Sequence, residues 1–66
     1  MNVKTLVKFS GVPEGTTGTA VKDGKLWKVT WHGIRVLQGI PFIKKPLIDW
    51  FDEEEFKKYL VEVECL

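Results

Sequence analysis

The sequence predicts a small, mainly β domain: an antiparallel, curled barrel of four or five short strands with a C-terminal helix. Three observations lead there. Apolar and polar residues alternate at the period of strands through much of residues 3–38, Asp23-Gly24 separates two strand-like runs, and helix-start signals gather at Asp52. At 66 residues the chain forms one domain, 1–66. A chain of this size buries roughly 60% of the surface it exposes when unfolded, so it must be compact. Multi-domain enzymes, doubly wound nucleotide-binding folds and repeat arrays are excluded by length.

In the run Val3 to Phe9, Val3, Thr5, Val7 and Phe9 fall on one side and Lys4 and Lys8 on the other, the pattern of a half-buried first strand. The cluster Ser10-Gly11-Val12-Pro13-Glu14-Gly15 ends it. Thr16 to Lys22, rich in β-branched residues, is the second strand, with Gly18 expected at a bulge or bend. Asp-Gly supplies positive φ cheaply, so a type I′ turn is expected at Asp23-Gly24. The third strand, Lys25 to Trp31, sets Trp27, Val29 and Trp31 on the inward face. His32-Gly33 reads as a second tight turn, followed by a fourth strand, Ile34 to Gln38, with Ile34 and Val36 inward and Arg35 outward.

Gly39, Pro41 and Pro46 break the next stretch, so Ile40 to Ile48 reads as loop with a short extended piece at Phe42-Ile43-Lys44. A helix is expected over about 52–61. Asp52 and Glu55 have capping-box spacing, Phe51 and Phe56 that of a hydrophobic staple, and Glu53 and Glu54 suit the positive end of the dipole. Phe56, Tyr59, Leu60 and Val63 make the apolar stripe. The alternation Val61-Glu62-Val63-Glu64 also fits a last strand after a short helix, and both readings stand.

The composition is that of an ordinary globular chain, 44% hydrophobic and 29% charged. Its lone cysteine, Cys65, cannot form an intramolecular disulfide, which argues for a reducing compartment. The N-terminus alternates and lacks the apolar run of a signal peptide, and no stretch has the length of a membrane span, so a cytoplasmic location is expected. The net charge of +1 hides an asymmetry: residues 1–45 carry eight cations against two anions, and 46–66 carry two against seven. Either the halves pack together and neutralise each other, or a basic face is left open for a polyanion.

The residues Val7-Lys8-Phe9, Gly11, Gly15, Gly18-Thr19-Ala20-Val21 and Trp27-Lys28-Val29-Thr30-Trp31 resemble the opening strands of small SH3-like barrels, closest to the KOW type. There a strand, a Gly-containing loop and a Gly-x-Val strand lead into a hairpin. The resemblance covers residues 3–38, and the tail Asp49 to Phe56 has no place in a minimal KOW unit. It implies a binding module without choosing the ligand.

Chemistry is sparsely represented. His32 and Cys65 form a dyad only if a turn meets the chain end, and their spacing matches no metal site, so no cofactor or metal is expected. Asp49, Asp52, Glu53, Glu54 and Glu55 are explained by capping and the helix dipole better than by acid–base catalysis. Gly11, Gly15 and Gly18 lack the lysine of a phosphate-binding loop. Phe42-Ile43-Lys44-Lys45-Pro46-Leu47-Ile48 sets apolar groups beside cations, as partner surfaces do. The leading expectation is a non-catalytic module, a protein–protein adaptor or small accessory subunit, contacting its partner through Arg35, Phe42, Lys44, Lys45 and Trp50, with self-association as a variant. The alternative is nucleic-acid binding through a basic strand face of Lys4, Lys8, Lys22, Lys25, Lys28 and Arg35, against which stands a pI of only 7.9.

Overall fold

The computed structural model of the chain describes residues 1–9, 11–41 and 43–64. Strands β1 (Asn2–Thr5), β2 (Thr17–Asp23), β3 (Leu26–Gln38) and β4 (Ile43–Asp52) are followed by helix α1 (Glu53–Tyr59) and strand β5 (Leu60–Val63). They make one antiparallel sheet in the order β4-β3-β2-β1-β5. Its edges, β4 and β5, do not pair with each other among the described residues. The sheet is therefore open where the sequence expectation drew a barrel. Helix α1 joins the two edge strands directly, taking up the stretch of chain between them.

Strand β1 is shorter than the expected Val3 to Phe9, and a buried threonine is the reason. The Thr5 hydroxyl donates to the Val7 carbonyl at 2.7 Å and accepts from the Val7 amide at 3.2 Å, turning the backbone out of the ladder. The chain then crosses the core: Leu6 donates to the Tyr59 carbonyl, and Phe9 and Val12 exchange both backbone bonds around Gly11, whose φ is +77°. Gly18 is not at a bulge. It stays in register with Val3 and Trp31, and a Cβ there would stand 2.9 Å from the Thr30 carbonyl oxygen and 3.1 Å from Trp31 and Val29. The β2–β3 loop is Gly24-Lys25, with positive φ at Gly24 alone, which fits a II′ rather than the expected I′ turn.

The largest departure lies at His32-Gly33. No turn forms there: β3 runs through it for 13 residues, and the expected loop Ile40 to Ile48 largely becomes β4. What the sequence signals instead is a bulge. Thr30 pairs with Ile48 and Arg35 with Pro46, so the four residues between Thr30 and Arg35 stand opposite Leu47 alone. Gly33, at φ +76°, provides the bend. The bulge reverses which residues of β3 face inward, as a turn would have done, so Ile34 and Val36 are inward and Arg35 outward as expected. Pro46 is tolerated because β4 is an edge strand.

The core lies between the sheet and α1. Val3, Val12, Ala20, Val29, Trp31, Phe51, Phe56 and Leu60 are buried there, with Phe9, Trp27, Ile34, Leu47 and Tyr59 packed around them. Phe9 meets Phe51 at 5.5 Å and Tyr59 edge-on at 5.6 Å, while Trp27 stacks on Phe56 at 4.3 Å. The helix begins as its sequence dictates. The Glu55 amide donates to Asp52 Oδ1 at 2.8 Å and the Asp52 amide to Glu55 Oε1 at 3.2 Å, closing the capping box. It ends at Tyr59, and the alternating Leu60–Val63 pairs with β1 as a strand.

A candidate interaction face on the long hairpin

Residues directly opposite in a sheet share a face, so the register sorts the side chains of β3 and β4. Trp27, Val29 and Trp31 face the core with Phe51, Asp49 and Leu47. Trp31 is 1% exposed, and its Nε1 donates to Asp49 Oδ2 at 2.7 Å, giving a buried indole its one required acceptor. On the outward face are Lys28 opposite Trp50, Thr30 opposite Ile48, Arg35 opposite Pro46, and Leu37 opposite Lys44.

Of the expected contact residues, Arg35, Lys44 and Trp50 therefore share one face. Lys45 pairs with Val36 and faces the other way, and Phe42 lies outside the described residues. Ile48 belongs to the face but escapes a sequence reading that treats Ile40 to Ile48 as loop. Leu37 also belongs to it and shares the outward parity of Arg35 in the expected fourth strand, though it is not among the expected contacts. Trp50 is 49% exposed, Ile48 37% and Leu37 62%, large apolar groups in solvent on one side of one hairpin. From Lys44 to Trp50 along β4 is six residues, about 20 Å at ~3.3 Å per residue.

The electrostatics divide the molecule. Glu53 receives Lys22 Nζ and Trp27 Nε1, each at 2.8 Å on Oε2, and Lys57 lies 3.9 Å from Oε1. The hydrogen bond from Lys22 and then that from Trp27 hold the Glu53 carboxyl below its ordinary 4.5 against an opposing effect of desolvation, with the charges of Lys22 and Lys57 adding to the lowering. Among the described residues these are the ion pairs, and none involves Arg35, Lys44 or Lys45.

The six cations of the alternative basic face are scattered. Lys4, Lys28 and Arg35 lie on the outward face. Lys22 pairs with Trp27 on the opposite face and is engaged by Glu53, Lys25 is in the β2–β3 loop, and Lys8 is in the β1–β2 connection. His32 is held rather than free, with Nδ1 3.1 Å from Thr17 Oγ1 and Nε2 2.9 Å from Thr19 Oγ1. It lines an open depression of about 300 Å³ where the bulge parts β3 from β4, with Thr30, Arg35 and Pro46 on its outward rim. Cys65, its imagined catalytic partner, lies outside the described residues. Among the described residues no group of three His, Cys, Asp or Glu is placed to hold a metal ion, and no helix is long and apolar enough to cross a membrane.

Comparison with known protein families, characterised proteins and solved structures returned no match.

Proposed function

We propose that the chain is a non-catalytic binding module of the SH3-like kind, a protein–protein adaptor or small accessory subunit that engages its partner with the outward face of β3 and β4. The observation that carries this reading is the presence of Leu37, Ile48 and Trp50 in solvent beside Arg35 and Lys44, whose charges no described residue neutralises. A domain this small gains most by burying its large apolar side chains. Leu37, Ile48 and Trp50, left outside on one face of the hairpin, gain that burial only against a partner, while the cations at the far end orient it. The SH3-like part is supported by chain order: a first strand, a loop containing Gly11 and Gly15, then Gly18 to Val21 leading into the β2–β3 hairpin.

A photoreactive benzoylphenylalanine placed at Trp50, compared with the same group at the helix position Lys58, tests the face. The expected result is a protein adduct from position 50 alone, suppressed by excess wild-type chain but not by excess Ile48→Asp. Equal adducts at both positions, or competition by both chains alike, would sink the reading. An adduct of twice the chain mass would make the first partner a second copy. A parallel salt series of anisotropy titrations with short DNA and RNA separates the alternative: micromolar binding that weakens steeply with salt would move the function to nucleic acid.

A further inference from the structure

We infer that the outward face of β3 and β4 takes an extended acidic segment of another protein, about seven residues long, with its acids at Arg35 and Lys44 and its apolar side chains on Ile48 and Trp50. The inference rests on the binding-module reading and names its partner class.

Charge complementarity selects the occupant. Four of the chain's nine acids are engaged elsewhere, Glu53 by Lys22 and Trp27, Asp49 by Trp31, and Asp52 and Glu55 by the cap, and none of the nine is ion-paired with Arg35 or Lys44 among the described residues. Arg35 and Lys44 have no such anion among the described residues, and they stand near one another on the outward face, on neighbouring strands two residues apart in register. Spacing selects the length. Lys44, Pro46, Ile48 and Trp50 point outward at every second residue over about 20 Å, the reach of seven residues in extended backbone at ~3.3 Å each. An extended segment has the same period of two, so residues one and three of the segment meet the cations while five and seven meet the apolar end.

The depression beside Arg35, walled by the pinned His32 ring and Pro46, lies between these two ends. Nucleic acid is the poorer fit. Its bases would find one exposed aromatic, Trp50, among aliphatic groups, and its phosphates would approach Asp23 and Asp52, which flank Leu26 on the same face.

The test uses four fluorescein-labelled probes and the full chain, read by anisotropy. The first peptide is Glu-Ser-Glu-Ser-Leu-Ser-Leu; the second has Lys for Glu, the third has Ser for Leu, and the last probe is a seven-nucleotide oligothymidylate. An interface this small is weak, so the first peptide is expected to bind with Kd on the order of 100 µM at low salt. Raising salt should weaken it, and the second and third peptides should bind about tenfold or more less tightly. Arg35→Glu and Lys44→Glu should each weaken the first peptide about tenfold, Ile48→Ser less, and Lys58→Glu not at all. All four positions are on the surface, and an unchanged far-UV circular dichroism spectrum and urea midpoint check that each variant is folded.

Equal binding of the second peptide would overturn the inference by showing apolar adhesion without charge selection. Tighter binding of oligothymidylate would overturn it in favour of polyanion recognition. If no peptide binds, the acidic partner class fails, while the crosslinking competition at position 50 still decides separately whether the face binds protein at all.

Discussion

The two ends of the β3–β4 hairpin are built from the same kinds of residue and meet opposite fates. Toward the helix, Trp27, Val29, Trp31, Leu47 and Phe51 pack into the core; beyond the bulge, Leu37 and Ile43 stand in solvent with Arg35 and Lys44. Hydropathy does not separate them. What separates them is coverage: α1, the β1–β2 connection and β5 close over the inward face of the first end. Leu37 and Ile43 beyond the bulge, like Ile48 and Trp50 on the outward face, are left in solvent. A strand is buried by what its neighbours bring to it, so a hairpin longer than the core it serves must expose apolar surface.

Substitutions on the two sides of this division should have sharply different costs. Trp31→Ala removes the largest fully buried side chain and leaves Asp49 without its indole donor, with an expected loss of about 3–5 kcal/mol. Against the roughly 5–15 kcal/mol that holds a small domain together, this takes a large share of the stability. A urea midpoint within error of the wild type would show that the core is not where the burial places it.

Gly18→Ala tests the same side by addition. The new methyl must displace the Thr30 carbonyl or the Trp31 ring, both within 3.1 Å, at an expected cost of about 1–3 kcal/mol by thermal unfolding. A stabilised variant would mean that the sheet yields there and that close approach does not explain the glycine.

Much of this inner region could be read from the chain alone. The inward set Trp27, Val29 and Trp31 and the capping box of Asp52 and Glu55 are local patterns with one geometric meaning each. Val61 to Glu64, by contrast, fits helix end and strand alike until β1 comes to pair with it. The bulge was not legible. His32-Gly33 as a turn and as a bulge make the same demand on the backbone, positive φ at Gly33, and give the same facing for Arg35. The two differ only in whether Ile43 to Asp52 comes back to pair, a long-range fact that two prolines disguise. That is why Ile48, whose facing needs the register of β4, is not among the expected contacts, while alternation in the expected fourth strand already turns Arg35, and Leu37 with it, outward.

Asp52→Ala acts at the border between the two regions, where β4 becomes α1. Loss of its bond to the Glu55 amide should cost about 1 kcal/mol, and Asp52→Asn should recover most of it. Equal losses in the two variants would refer the effect to charge rather than capping.

Glu53 gives the inner region a sensitivity to acid. Its carboxyl is held below 4.5, so in acid the unfolded chain binds the proton more readily than the folded one. The stability Glu53 contributes is complete above about 4.5 and is lost as pH falls through the lowered folded value. Glu53→Gln should therefore show its deficit at pH 7 and converge with the wild type in acid, as read by urea unfolding at several pH values. A deficit independent of pH would refer the role of Glu53 to packing on Trp27.

The smallest expected effect is the most telling for the far end. Leu37→Ser removes a large apolar side chain, yet one that is 62% exposed and opposite Lys44 on the outward face, so stability should change by no more than about 0.5 kcal/mol. The same change should weaken the position-50 adduct, because there the leucine's burial comes only with the partner. Trp31→Ala reverses both signs: it costs stability first, and binding only through unfolding. A Leu37→Ser variant that loses stability instead would mean that the arm packs against its own chain, and the division between a covered end and an offered end would fall.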